Sequence, residues 1–333
     1  MRAPDFWYSD RRTITSWVLA PLSWLYGFGG KLRNYTTVRQ KADLPVICIG
    51  NFVAGGAGKT PAALAIAALL QQSHKTSGFL TRGYGGKLSG PVVVDPAQHS
   101  SHDVGDEALL LVNACPTIVA KDRADGAARF SKTDTDIIIM DDGFQNPSLH
   151  KDLALIVIDH HQGIGNGCVI PSGPLRAPIA EQISKAHGFI IIGGELNDQN
   201  LMQSLQRSDK PIFTSHLEPI ATAPDLSGKK VIAFTGIGMP DKFFATLESA
   251  GAELIESIRY PDHHPFSQSD AQWLLDLQGD NPECLLMTTT KDHIRLKDTT
   301  EACGRLYQAA RPYEVELKFD QEQQLIEFIL GKF

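Results

Sequence analysis

The chain has 333 residues, 42% of them hydrophobic and 21% charged, with a formal net charge of −7. That length is long for one core and predicts two domains; the acidic balance argues against a nucleic-acid partner, which would call for a basic surplus. The five cysteines (Cys48, Cys115, Cys168, Cys284, Cys303) are scattered with no C-x-x-C pair, which fits reduced thiols in a cytosolic compartment and gives no metal-site signature.

Three of the four tryptophans, Trp7, Trp17 and Trp24, fall in the first 24 residues. In "TITSWVLAPLSWLYGFGGKLR", Ile14, Trp17, Val18, Pro21, Leu22 and Leu25 recur at helical spacing, flanked by Arg11, Arg12, Lys31 and Arg33. The apolar stretch is too short to span about 30 Å of hydrocarbon. A signal peptide fits poorly, because Pro21 and two serines interrupt the run and no A-x-A site follows. Aromatic residues with basic flanks predict a helix lying in a membrane interface; a helix packed on the protein's own core is the competing reading.

From Val46 onward short β-rich runs alternate with helical patterns. Strands are expected at 46–49, 78–80, 92–94, 117–119, 137–140, 153–158, 189–192 and 212–215. Helices are expected at 60–72, 105–113, 123–130, 179–186 and 201–206. Runs such as "DIIIM" and "ALIVI" are apolar throughout, as strands of a parallel sheet covered on both faces must be. The alternation predicts a doubly wound α/β fold with a mostly parallel sheet, of P-loop NTPase type once the glycine-rich turn "GNFVAGGAGKTP" after the first strand is counted. "LEPIATAPDLSGKK", 217–230, reads as a linker. A smaller α/β unit follows, with strands near 231–234, 254–258, 284–288 and 315–317 and helices near 242–250, 271–277 and 321–330. The expected division is an N-terminal membrane-associating segment at 1–35, a core domain at 36–216, the linker, and a C-terminal domain at 231–333.

"GNFVAGGAGKTP" follows the first strand and opens a helix, the setting a phosphate loop requires. Lys59 is placed to meet the β- and γ-phosphates and Thr60 to ligate Mg²⁺. The glycines do not fit G-x-x-x-x-G-K-[ST], and Ala54 stands where dimeric, lysine-sharing ATPases carry an extra lysine. "DIIIMDDGFQ" ends a buried strand with Asp141 and Asp142, where such enzymes place the acidic partner of the nucleotide's Mg²⁺. "DVGDEALLLV" puts Asp106 and Glu107 in a first helical turn, where carboxylates are also common caps. "YPDHHPFS" carries a histidine pair, and "GNGCVIPSGPLRAP" carries Arg176 in a glycine/proline-rich loop. "TTTKDHIRL" lacks the N-K-x-D spacing of a guanine clamp, since Lys291 and Asp292 are adjacent.

With "TRGYGG" and the basic, aromatic N-terminus, these motifs in this order resemble the tetraacyldisaccharide 4′-kinase family of the Gram-negative lipid A pathway. The likeness runs over nearly the whole chain, and the doubled-glycine loop with D-D-G-F-Q is its most specific part. The resemblance implies transfer of the ATP γ-phosphate to the 4′-hydroxyl of a tetraacylated glucosamine disaccharide 1-phosphate, giving lipid IVA, with ATP and Mg²⁺ as cofactors. It further implies that Asp106 is the base-like residue, paired with His263, and that Lys59 is catalytic. Asn51, Gly55, Gly56, Ala57, Gly58, Lys59, Thr60 and Lys291 would hold nucleotide. Thr60, Glu107, Asp141, Asp142 and Gln145 would organise the metal, and Arg82, Arg123 and Arg176 would meet substrate. It also implies a monomer whose partners are the glycolipid substrate and a membrane surface, held peripherally at the cytoplasmic face of the inner membrane by the helix at 14–25. Asn146 and Ala177 stand where the family usually has His and Glu. The rival is a phosphate-loop ATPase or GTPase that matures a protein partner; dependence of ATP turnover on a glycolipid acceptor separates the two.

Overall fold

The computed structural model describes residues 4–9, 11–297 and 301–333. After a 3₁₀ turn at Asp5–Tyr8 come α1 (Ile14–Thr36), β1 (Val46–Asn51), α2 (Lys59–Gln72), β2 (Ser77–Thr81), β3 (Val92–Val93), α3 (Ser101–Val104), α4 (Asp106–Leu111), β4 (Thr117–Val119), α5 (Arg123–Ala128) and β5 (Ile137–Asp141). The chain continues through β6 (Leu153–Asp159), α6 (Ile179–Lys185), β7 (Gly188–Ile192), α7 (Gln199–Gln206) and β8 (Ile212–Pro219). Next come β9 (Lys230–Thr235), α8 (Pro240–Ser249), β10 (Glu253–Arg259), α9 (Gln268–Asp280), β11 (Leu285–Thr288), α10 (Thr290–Leu296), α11 (Glu301–Ala309) and β12 (Arg311–Pro312). Finally β13 (Val315–Phe319) and α12 (Glu322–Leu330) close the chain.

The larger sheet has nine strands in the order β13-β8-β7-β6-β1-β5-β2-β4-β3, parallel except at its two edge pairs. Its central strands are buried on both faces, which is why they read as unbroken apolar runs. Val46, Cys48, Ile138 and Met140 enter the core on one face; Ile47, Ile49, Ile137 and Ile139 enter the core on the other. The smaller sheet, β10-β9-β11-β12, is wholly parallel and likewise two-sided.

The domain division differs from the sequence expectation at both ends of the C-terminal segment. Residues 217–219 continue β8 instead of beginning a linker, and pair antiparallel with β13. That strand and α12, expected in the smaller unit, belong to the larger: Leu317, Phe319, Leu325 and Ile329 are buried among Ile190, Ile192 and Phe213. An amphipathic pattern shows that one face is buried but not against which sheet. The chain therefore crosses between the units twice, after β8 and before β13.

Helix α1 is turned inside out relative to a core helix. Its inward stripe is Ser16, Leu19, Ala20, Ser23 and Gly27, buried or half-buried, while Ile14, Trp17, Leu22, Trp24, Leu25, Phe28 and Leu32 are exposed. The inward serines are hydrogen-bonded to one loop: Ser16 Oγ donates to Ser172 O at 3.0 Å and Ser23 Oγ to Val169 O at 2.7 Å. No helix among the described residues is long and apolar enough to cross a membrane.

Candidate active site

The phosphate loop leaves the carboxyl end of β1 and enters α2 through Gly58, whose φ of +81° suits glycine. A Cβ there would also lie 2.5 Å from Ile192 Cδ1. Thr60 Oγ1 donates to Asp141 Oδ2 at 3.5 Å, joining the loop to the end of β5. Lys59 Nζ lies 3.8 Å from Asp142 Oδ1 and donates to Gly55 O at 3.4 Å. The buried Asn51 braces the loop from beneath, donating to the same carbonyl at 3.1 Å. Gly55 and Gly56 face open space, and Ala57 is buried.

The loop at 173–176 is stitched onto this one, with Ala54 N donating to Pro174 O and Arg176 N to Phe52 O. That stitching aims Arg176 at the acidic pair: Nη1 stands 3.2 Å from Asp142 Oδ1, and Nη2 donates to Oδ2 at 3.3 Å. Gln145 accepts from Arg176 at 3.3 Å and donates to Asn51 O at 3.0 Å, so it ties the two loops together. Asp142 adopts φ of +50°, a conformation costly for a non-glycine residue.

The smaller unit supplies the other wall. Asp106 and His263 lie 157 positions apart, yet Asp106 Oδ2 is 3.1 Å from His263 Nδ1. Gly105, φ +85°, lets the chain turn into α4; a Cβ there would sit 2.4 Å from Tyr84 O. His263 also has a left-handed backbone, and the Tyr84 ring leans on it at 5.1 Å. Its neighbour His264 pairs instead with Asp270 at 3.0 Å and stacks on Tyr260. Lys291, the first cation of α10, donates to Glu107 Oε1 at 2.7 Å.

Charge explains the titration pattern. Burial acts to raise the Asp106 pKa, but the hydrogen bond to His263 and the Arg295 and Lys291 charges outweigh it and hold the carboxyl well below the usual range. The same hydrogen bond lifts His263 against its partial burial. Asp141 goes the other way: burial, then the Glu107 charge, push it up to about 7. Burial also acts to raise Asp142, but Lys59 and Arg176 hold it down.

Asp141 Oδ1 is buried without a hydrogen-bond partner. An orphaned carboxylate oxygen beside a threonine hydroxyl, in a pocket too acidic for its own comfort, fits a divalent cation. Among the described residues no group of three or more His, Cys, Asp or Glu forms a ready-made cage. Magnesium in phosphate-loop sites draws few ligands from protein and the rest from water and phosphates. Gln145 and Glu107, expected at the metal, are engaged by Arg176 and Lys291 respectively.

Of the remaining arginines, Arg82 is exposed, whereas Arg123 is 3% exposed with Nε unpartnered. Burial and the neighbouring Arg82 charge bring Arg123 down to about 10. Sequence reasoning missed Arg295, whose guanidinium meets Asp106 across the seam between the units. The signal was present: Lys291 and Arg295 share a face of α10 at i,i+4, and Asp292 and Arg295 pair at i,i+3.

Residues 15–333 match the family LpxK: Tetraacyldisaccharide-1-P 4′-kinase. A tetraacyldisaccharide 4′-kinase of Parvibaculum lavamentivorans is 44% identical over 308 residues, 92% of this chain and 90% of that one. One from Methylobacterium radiotolerans is 43% identical over 331 residues, 99% of this chain and 98% of its own. Among solved structures, the "apo" form of LpxK from Aquifex aeolicus in complex with ATP superimposes with a TM-score of 0.75 at 26% identity, covering 96% of this chain and all of that one.

Proposed function

The chain belongs to the tetraacyldisaccharide-1-P 4′-kinase family, and from that premise we propose how its own residues carry the reaction. It is an ATP-dependent kinase that phosphorylates the 4′-hydroxyl of tetraacyldisaccharide 1-phosphate, yielding lipid IVA. The observation that carries the residue assignment is the contact between Asp106 and His263, with the neighbouring Glu107 near enough for its charge to act on Asp141 at the phosphate loop.

In this reading the amides of residues 55–60 and Lys59 hold the ATP phosphates at the N-terminus of α2, where the helix dipole favours negative charge. Lys291 completes the nucleotide side from the smaller unit. Thr60 and Asp141 hold Mg²⁺, with Asp142, Glu107 and Gln145 setting the charge and shape around them. When bound, that ion neutralises charge on the transferring phosphoryl group. Arg82, Arg123 and Arg176 receive the anionic parts of substrate. The 4′-oxygen attacks phosphorus, ADP leaves, and the hydroxyl proton passes to the Asp106–His263 pair. A weak base suffices, because phosphoryl transfer passes through a loose transition state in which positioning outweighs base strength.

The exposed apolar face of α1, with its basic flanks, docks the enzyme peripherally on the cytoplasmic leaflet of the inner membrane, where the acyl chains reside. We propose that the enzyme acts as a monomer: both walls of the site come from one chain, so a second copy is not needed to complete it. A guanine-clamp role is closed to Asp292, which is fully buried and bonded to Thr235, Gly236, Thr289 and Arg295. The test is transfer of radiolabelled γ-phosphate to detergent-dispersed tetraacyldisaccharide 1-phosphate. Incorporation into lipid is expected; ATP turnover indifferent to that acceptor would overturn the assignment.

A further inference from the structure

Arg295 is the most heavily engaged cation at the seam between the two units, and neither the motifs nor the family likeness gave it a role. Its side chain and that of Asp106 are 8% and 5% exposed. The guanidinium has two working edges. Nη1 is fixed to its own unit, donating to Asp292 Oδ1 at 2.6 Å and to Gly236 O at 2.9 Å. Nε and Nη2 reach 189 positions back along the sequence to Asp106 Oδ2, Nε at 2.9 Å. Asp292 is itself fully buried, accepting from Thr235 and Thr289 hydroxyls at 2.7 and 2.6 Å. The anchor behind Arg295 is therefore rigid, and its direction is set before it meets Asp106.

We propose that Arg295 is a positioning residue: it registers the Asp106 carboxylate, and through it the Asp106–His263 pair, against the smaller unit. The inference rests on the reading of Asp106 as proton acceptor. The carboxylate has one oxygen held by the amide of Glu107 at 2.9 Å and the other shared by His263 and Arg295. Its rotation is thus defined from both units at once. Without Arg295, among the described residues the His263 ring alone would hydrogen-bond Asp106 from the smaller unit, and that ring is 27% exposed on a strained turn. Small displacements of a catalytic group are costly: an error of about 1 Å can lose about 10²-fold in rate.

The planar fork makes this function specific to arginine. A lysine would preserve charge but could not span Asp106 on one side and Asp292 with Gly236 O on the other, because its ammonium is a point donor. The experiment compares R295M, R295K, D106A and the D106A/R295M double variant, with radiolabelled ATP and detergent-dispersed tetraacyldisaccharide 1-phosphate. R295M should lose about 10²-fold in kcat with the KM for ATP changed less than about threefold. R295K should lose at least about tenfold despite its retained cation. The double variant should be no more than about twofold slower than D106A, because a residue acting through Asp106 has nothing left to position. Near-normal kcat in R295M or R295K would overturn the proposal. So would multiplicative losses in the double variant, which a merely structural role would produce. If R295M fails to fold, R295K alone still decides. Should D106A itself retain normal transfer, the reading of Asp106 falls and this inference with it; an inactive D106A beside a normal R295M sinks only the role of Arg295.

Discussion

Replacing Trp17, Leu22 and Leu25 by serine should detach the enzyme from membranes without disturbing its fold. The perturbation is clean because these side chains are 62%, 52% and 68% exposed, whereas α1 is held by the opposite stripe through Ser16 and Ser23. Fully burying one large apolar side chain contributes about 1.5–3 kcal/mol. Weighted by the exposed fractions, the three together contribute about 3–5 kcal/mol of bilayer affinity, or about 10²–10⁴-fold in partition. Beyond Gly27 the helix projects a further ~13 Å with all its residues to Thr36 exposed, so Phe28 and Leu32 leave some residual binding. Arg11, Arg12, Lys31 and Arg33 add about 1 kcal/mol each against anionic lipid, a contribution that salt screens. Flotation with vesicles containing anionic phospholipid measures the partition, and a thermal melt checks the fold. Unchanged flotation, or a large fall in melting temperature, would mean that α1 packs on the protein after all.

Four more expectations concern the site. Lys59→Ala and Asp141→Asn should each abolish detectable transfer, while Asp141→Asn melts at the same temperature as wild type or higher, because it removes a buried carboxyl that the fold already pushes up to about 7; a melting temperature several degrees lower would contradict that account. Asp106→Ala and His263→Ala should each slow kcat by about 10²–10⁴-fold, with the double variant hardly slower than the worse single one. His264→Ala should stay near wild type, since that ring serves Asp270 and Tyr260, and loss in this variant instead would point to the wrong histidine. His263 has a raised folded-state pKa, so the stability it contributes is fully present below about pH 6.5 and is lost as pH rises through the folded value. Melts of wild type and His263→Gln should therefore diverge at pH 6 and converge by pH 9; a gap that widens with pH would reverse the sign.

The parallel core was legible because "VICIGN", "IIIMD" and "LALIVID" each fill a two-faced buried position, which leaves a local pattern. The phosphate loop and its acidic strand end were legible for the same reason: strand, turn and helix are contiguous in sequence. The return of β13 and α12 to the larger sheet was not, because Leu325 and Ile329 show the same helical stripe whichever sheet lies beneath them. Nor did the sequence show Arg295 reaching Asp106, since no local period connects residues 189 positions apart. The motif "PDHHPFS" alone does not distinguish its two histidines, and the family resemblance named His263; in the structure the His263 ring meets Asp106 and the His264 ring meets Asp270.

The double crossing of the chain and the charges at the seam belong to one argument. A unit inserted between β8 and β13 is tethered at both ends to adjacent, paired strands, so its position relative to the phosphate loop is restricted by backbone as well as by contacts. Across the seam Asp106 meets His263 and Arg295, Glu107 meets Lys291, and Asp159 at the end of β6 meets Lys242. In each pair the larger unit supplies the anion and the smaller the cation or the histidine. Asp106, which is buried, and Glu107, which is half-buried, are adjacent, so a single displacement of the smaller unit would break both sets of contacts together. The carboxylates proposed to serve catalysis are therefore also ones that hold the two units together, and the Asp106–His263 contact exists only while the smaller unit is seated.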